Sequence, residues 1–229
     1  MDQNGLKIIM IFDEFEVVTK NPNFDMEFFS FFRSIANNFN IAYIVSSGKN
    51  LQDLCHSNEI FYSPFFNIFS NITLSQLRED EAIELISKPS SACGGPLKPY
   101  APFIIDVAGY YPFFIQIACA ILFEYVSSGE NIDEAILDKV REEFLDEAKV
   151  HFQQIWDICD EDQREVFLCL SHGKRLHKSQ EYVSSGLVKA GYIKVQDEQS
   201  LIFSSLFQEF VLEKYGAQKQ AAKKKKFLF

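Results

Sequence analysis

Two carboxylates stand side by side at Asp13 and Glu14, directly after the apolar run Leu6–Phe12. Seven nearly unbroken apolar residues, interrupted only by Lys7, fit a strand buried on both faces, as in a parallel sheet. Such a strand delivers its last residues to the carboxyl edge of the sheet, where α/β folds bind ligands. An aspartate there can hold Mg²⁺ through the metal's waters, because Mg²⁺ dehydrates reluctantly. A following glutamate can polarise a water as general base. A second apolar run, Ile41–Val45, closes on Ser46-Ser47-Gly48. The bland alternative is a strand that simply ends in solvated acids, a common pattern.

Other reactive side chains form no constellation. His56, His151, His172 and His177 have no carboxylate or cysteine at metal-ligand spacing, and Cys55-His56 are sequence neighbours whose side chains diverge on a helix. Five cysteines (55, 93, 119, 159 and 169) make an odd number with no C-x-x-C pair. They read as small core residues of a protein in a reducing cytoplasm, with no disulfide framework or zinc implied. Lys223–Lys226 with Phe227-Leu228-Phe229 could touch a lipid surface or nucleic acid, but a solvated tail is the favoured reading.

The elements that must position Asp13 and Glu14 follow from periodicity. Asn21-Pro22-Asn23 is a turn, and Phe24, Phe28, Phe31, Phe32 and Ile35 recur at helical spacing, predicting a helix over 25–39. With Ile41–Val45 this makes one strand–helix–strand unit. Gly48–Cys55 begins a short helix, Ile60–Phe69 is irregular and buried, and Asn71–Leu74 reads as a third strand. Arg78–Ser87 is a helix with Glu79, Asp80 and Glu81 in its first turn, where carboxylates favour the helix dipole. Lys88–Pro102 holds four prolines and Gly94-Gly95, which marks a linker. Beyond it, Phe103–Val107, Pro112–Val126 and Ile132–Cys159 are helical. Asp160–Leu170 and Ser179–Ala190 are helices, Tyr192–Val195 and Leu201–Ser204 form a hairpin about Gln196-Asp197-Glu198-Gln199, and Ser205–Tyr215 is a last helix. Helix, helix, hairpin, helix is the order of a winged helix.

The chain has 229 residues, 47% of them hydrophobic and 24 of them Phe, so a large core can form and disorder is excluded as the main state. Net charge is −10, but five lysines fall in the last eleven positions. Residues 1–218 therefore carry 17 basic against 32 acidic groups, a net −15. Affinity for a phosphate backbone comes from Lys and Arg, so generic nucleic-acid binding is disfavoured. The longest later apolar stretch, Pro112–Phe123, contains Gln116 and falls short of the ~20 residues that span a bilayer. Met1–Gly5 are polar, and the run after them meets Asp13, so no secretory leader is expected.

In this setting the sequence resembles the AAA-like and STAND branches of the P-loop ATPases, especially the prokaryotic AAA-like domain group. Ile8–Glu14 resembles the Walker B strand and Ser46-Ser47-Gly48 a sensor-1 tip. Ser63-Pro64-Phe65-Phe66-Asn67, then Ile72-Thr73-Leu74 and Leu77-x-x-x-Glu81-Ala82, look like the stretch leading into the group's last core strand and helix. Ala108-Gly109-Tyr110-Tyr111-Pro112 resembles its Gly-x-Pro segment beside the nucleotide base, although Gly109 stands three residues before Pro112 and the family places its glycine two before.

The resemblance spans about residues 5–215. It implies an α/β P-loop core over 1–88 with a partial parallel sheet, a helical lid over 89–158, a winged helix over 159–216 and a mobile basic tail over 217–229. It also implies ATP and Mg²⁺ as cofactors, with Asp13 on the metal, Glu14 on the water, Ser46 or Ser47 on the γ-phosphate, and Tyr110 and Pro112 on the base. One part is missing: no G-x-x-x-x-G-K-[ST] occurs in the sequence. In the family that loop precedes the Walker B strand by several tens of residues, and here only seven residues precede Ile8. The expectation is the carboxyl-terminal portion of such an ATPase, inactive alone, whose partner is the missing amino-terminal segment or another protein. The rival is a non-enzymatic DNA-binding or scaffold protein related to replication-initiator ATPases. Against it, residues 151–215 carry 7 basic and 10 acidic groups, and helix 179–190 has Gln180 and Lys189 beside Glu181 with a centre of Ser184, Ser185 and Gly186. A third reading is a pseudo-ATPase fragment whose exposed sheet edge aggregates.

Overall fold

A computed structural model describes residues 7–48, 51, 55, 57–196 and 199–216. The expected helix start over 49–54, the hairpin tip at 197–198 and the tail 217–229 lie wholly or mostly outside them. The chain divides into two compact units, Met1–Thr73 and Leu74–Phe229.

In the first unit, β1 (Ile8–Phe12) pairs in parallel with β2 (Ile41–Val45), from Ile8 opposite Ile41 to Phe12 opposite Val45. Between them run α1 (Glu16–Lys20), a short helix the periodicity did not reveal, and α2 (Met26–Asn38). Asp25 starts α2 by accepting from the Phe28 N–H at 3.0 Å, which satisfies one of the donors a helix N-terminus leaves unpaired. Phe29 of α2 is fully buried with Phe15, Ile60, Phe65 and Phe66. α3 (Asn58–Phe61) and a 3₁₀ turn over Pro64–Ile68 deliver the last three of these. Aromatic rings supply most of this core.

Two expectations are corrected here. β1 was expected to be buried on both faces, yet Ile9 is 61% and Ile11 73% exposed. Asn71–Leu74 was expected to form a third strand, yet it pairs with nothing described, and Ile72 is 86% exposed. The two facts have one physical cause. A parallel strand becomes a buried one only when strands flank it and layers cover both faces. Among the described residues this sheet has two strands.

The second unit holds the larger core. α4 (Glu79–Ala92), α5 (Ala101–Ala108), α6 (Pro112–Ser127) and α7 (Glu134–Ile158) pack through Ile86, Ile104, Ile115, Leu122, Phe144 and Phe152. The expected linker is shorter than its prolines suggested, because α4 continues through Pro89. Pro89 lacks an N–H, but Ser90 Oγ donates to the Ile86 carbonyl at 2.7 Å and accepts from the Leu97 N–H at 3.1 Å, which anchors the turn beyond the helix. α8 (Glu161–Ser171) opens with a reciprocal cap between Asp160 and Gln163. α9 (Lys178–Lys189), the antiparallel pair β3 (Ile193–Gln196) and β4 (Gln199–Ile202), and α10 (Ser205–Val211) follow in the expected order. α10 runs on as a π-helical turn to Gly216, stacking Tyr215 on Trp156 at 4.0 Å.

Cysteine burial gives a direct chemical test. Burial pushes the Cys119 thiol up to about 12 and that of Cys159 to about 11, whereas Cys93 is exposed. Only thiolate alkylates readily. With iodoacetamide at pH 8, Cys93 should be modified first, and Cys119 and Cys159 only after denaturant is added. Peptide mass spectrometry reads the order, and equal native rates would contradict this burial.

Candidate functional site

The parallel pairing of β1 with β2 brings their carboxyl ends together, which is why residues 33 positions apart meet. The Ser46 N–H donates to the Phe12 carbonyl at 2.9 Å and the Phe15 N–H to the Ser46 carbonyl at 3.0 Å. Between these two bonds lies the acidic pair. Ser46 Oγ donates to Asp13 Oδ1, and the Glu14 N–H points at both Asp13 Oδ1 (3.1 Å) and Ser46 Oγ (3.2 Å). Asp13, Glu14 and Ser46 thus form one knot, with both carboxylates exposed.

Glu14 has φ of +49°, the only non-glycine positive value among the described residues. Left-handed backbone without glycine costs on the order of 1 kcal/mol and persists where surrounding bonds over-determine it, commonly at working sites. The two acceptors on its N–H are that over-determination. The conformation turns the chain sharply out of β1 and into α1, with Phe15 locked in the core at 2% exposure.

The next acid was missed from sequence. Glu16 Oε1 accepts from the Gly48 N–H at 2.9 Å, a contact across 32 residues that no local pattern announces. The Gly48 N–H, and next Glu16's own N–H, hold the Glu16 carboxyl below the usual carboxylate range.

Ser47 is exposed between Ser46 and Gly48. Among the described residues no three His, Cys, Asp or Glu side chains gather as metal ligands. With no such cluster, a metal at Asp13 would be held mostly by waters and phosphate oxygens.

Tyr110 and Pro112 belong to the second unit. Pro112 is exposed at the first position of α6, where its missing N–H costs nothing. The Tyr110 carbonyl accepts from the Leu77 N–H at 3.0 Å, and burial, then Glu79, raise its phenol above the ordinary value. Tyr111, between them in the same segment, makes the more extensive contacts. Its hydroxyl donates to the Ala190 carbonyl at 2.7 Å, and its ring meets Phe203 at 5.0 Å and Tyr192 at 5.9 Å. Segment 109–112 is keyed to the end of α9 and to the β3–β4 hairpin. A groove of about 620 Å³ in the same unit is lined by Lys149, Gln153, Phe210 and Lys214, and by none of the expected site residues.

The fold is an AAA+-like α/β fold. The chain superposes on the ORC2 protein of Aeropyrum pernix, solved as ADPNP–ADP complexes, with a TM-score of 0.56 at 12% identity. The match covers 93% of this chain and 66% of that one, so this chain spans just under two thirds of its length. No curated protein matches. The family model Novel STAND NTPase 2 matches residues 3–175. The chain belongs to that NTPase family.

Proposed function

We propose that this chain is the Walker B-onward portion of a STAND ATPase, coupling ATP binding and Mg²⁺-dependent hydrolysis to a conformational switch. The observation that carries the reading is the Asp13–Glu14–Ser46 knot at the carboxyl edge of two parallel strands. Asp13 would hold Mg²⁺ through water, and Glu14 would take the proton of the attacking water. Ser46 donates its proton to Asp13 and so orients that carboxylate, and Ser46 or Ser47 would meet the γ-phosphate. Mg²⁺, when bound, would neutralise charge on the transferring phosphoryl group. Nucleotide in the ORC2 structure supports the same cofactor here, with Tyr110 and Pro112 as base contacts.

The functional parts we propose are a core over 1–88, a lid over 89–158, a winged helix over 159–216 and a basic tail, in a cytoplasmic protein. They overlap the two compact units without coinciding with them. No G-x-x-x-x-G-K-[ST] occurs in residues 1–229, and the exposed Ile9 and Ile11 of β1 accord with a core completed by other chain.

The isolated chain should release no phosphate from ATP above background in a malachite-green assay. Mg²⁺-dependent turnover that Glu14→Gln abolishes would sink that expectation. If a reading frame immediately upstream encodes G-x-x-x-x-G-K-[ST], its product mixed with this chain should hydrolyse ATP, and Glu14→Gln should lower the rate by roughly 10²-fold or more. An unchanged rate would remove Glu14 from catalysis.

The fold shared with ORC2 and the helix–helix–hairpin–helix order favour one second reading, a DNA-binding or scaffold role. The charge balance over 151–215 argues instead that this module packs against the core. Salt-dependent binding to duplex DNA that is lost on replacing Lys178 and Lys189 would reverse that preference. No binding at low salt would eliminate DNA.

A further inference from the structure

We propose that Glu16 is a positioning residue that clamps the tip Ser46-Ser47-Gly48 onto the Asp13–Glu14 edge; the proposal rests on that edge being the working site. Hydrogen bonding between the strands ends with the Ser46 N–H on Phe12 and the Phe15 N–H on Ser46. Glu16 adds a tie beyond the strands, reaching from the first turn of α1 to the Gly48 N–H at 2.9 Å. Ser47 is thereby bracketed, with Ser46 tied to β1 on one side and Gly48 tied to α1 on the other.

Three further features fit a clamp. A bond from an N–H to a carboxylate is short and roughly twice as strong as a neutral one. The fit at Gly48 is close, since a Cβ there would stand 3.3 Å from Glu16 Oε1, so the carboxylate sits directly against the backbone. Glu16 Oε2 is buried and meets no donor among the described residues. Among the described residues, the charged groups acting on Glu16 are Lys20 at the far end of α1, which favours its ionisation, and Asp13, which opposes it. The anchor itself is the Gly48 N–H.

The test uses the full chain without nucleotide, so its result is independent of whether ATP is ever hydrolysed. Amide hydrogen exchange and ¹H–¹⁵N spectra are recorded for wild type, Glu16→Ala and Glu16→Gln. Glu16→Ala should speed exchange at Gly48 by about tenfold or more, the order expected for losing one charge-assisted bond. The Gly48 amide proton should move upfield, while Ile9–Phe12 and Tyr43–Val45 stay as they were. Glu16→Gln keeps an acceptor of the same reach and should restore most of the Gly48 shift. The proposal is overturned if Gly48 is unchanged in Glu16→Ala. It is equally overturned if protection falls uniformly through β1 and β2, which is what a merely structural residue would give. Failure of the ATPase reading shows up separately, in the phosphate-release assay.

Discussion

Replacing Gly109 by alanine should cost the Leu74–Phe229 unit on the order of 3–5 kcal/mol, a large part of a typical domain's stability. Two penalties add. Gly109 ends α5 at φ +65° and ψ −153°, a backbone region that is essentially closed to side chains and costs about 1–3 kcal/mol to force. A Cβ there would also lie 2.7 Å from the Phe203 carbonyl oxygen and 2.7 Å from its ring, a backbone contact that cannot swing aside. Gly94, at φ +82° with nothing within 4 Å of its Cβ position, is the control and should lose only about 1 kcal/mol on the same change. Urea unfolding followed by Trp156 emission measures both, because Trp156 is the single tryptophan and is buried against Tyr215. Equal losses at the two glycines would refute the close approach of Gly109 to Phe203.

This contact also gives a physical reason for the spacing that departs from the family pattern. Gly109 caps α5 through its N–H on the Ile105 carbonyl at 2.8 Å and passes under Phe203, so its position is set by that crossing. Tyr111 then reaches Ala190, and Ser204 Oγ reaches the Val107 carbonyl while accepting from the Phe207 N–H to start α10. Any ligand that moves segment 109–112 must therefore move the hairpin or break these bonds.

What was legible in the sequence was local. Asp25, Asp160 and the Ser204-Ser205 step mark helix starts because a cap reads only the next three residues. β1 and β2 were found because each is a short apolar run, and their meeting at Asp13 and Ser46 follows from parallel pairing. Failures arose where a partner decides. Asn71–Leu74 has strand composition but no pairing partner among the described residues, and α4 absorbs Pro89 because its surroundings hold it. Glu16 and Tyr111 act across 32 and 79 residues, beyond the reach of any periodicity.

Phe65→Ala should have the other largest effect, about 3–5 kcal/mol, because the ring is 1% exposed and its removal leaves a cavity as well as lost burial. Phe65 lies among Phe15 (6.1 Å), Phe29 (5.5 Å), Phe32 (6.4 Å), Phe66 (5.5 Å) and Phe69 (5.1 Å), so it joins α2 to the 3₁₀ turn and to Phe15 in the first unit's core. Only five hydrophobic side chains of that unit are buried among the described residues. Phe15 follows Glu14 directly and holds Ser46 through its N–H. A void beneath Phe15 therefore loosens the Asp13–Glu14–Ser46 knot without touching a carboxylate. Amide exchange at Ile9–Phe12 and Tyr43–Val45 should accelerate by roughly 10²–10³-fold, the factor that such a loss implies for opening of the sheet. Phe31→Ala on the same helical layer should change it by less than about fivefold, since Phe31 is 60% exposed. If the two substitutions behave alike, Phe65 does not support the sheet edge, and the knot depends on its own hydrogen bonds alone.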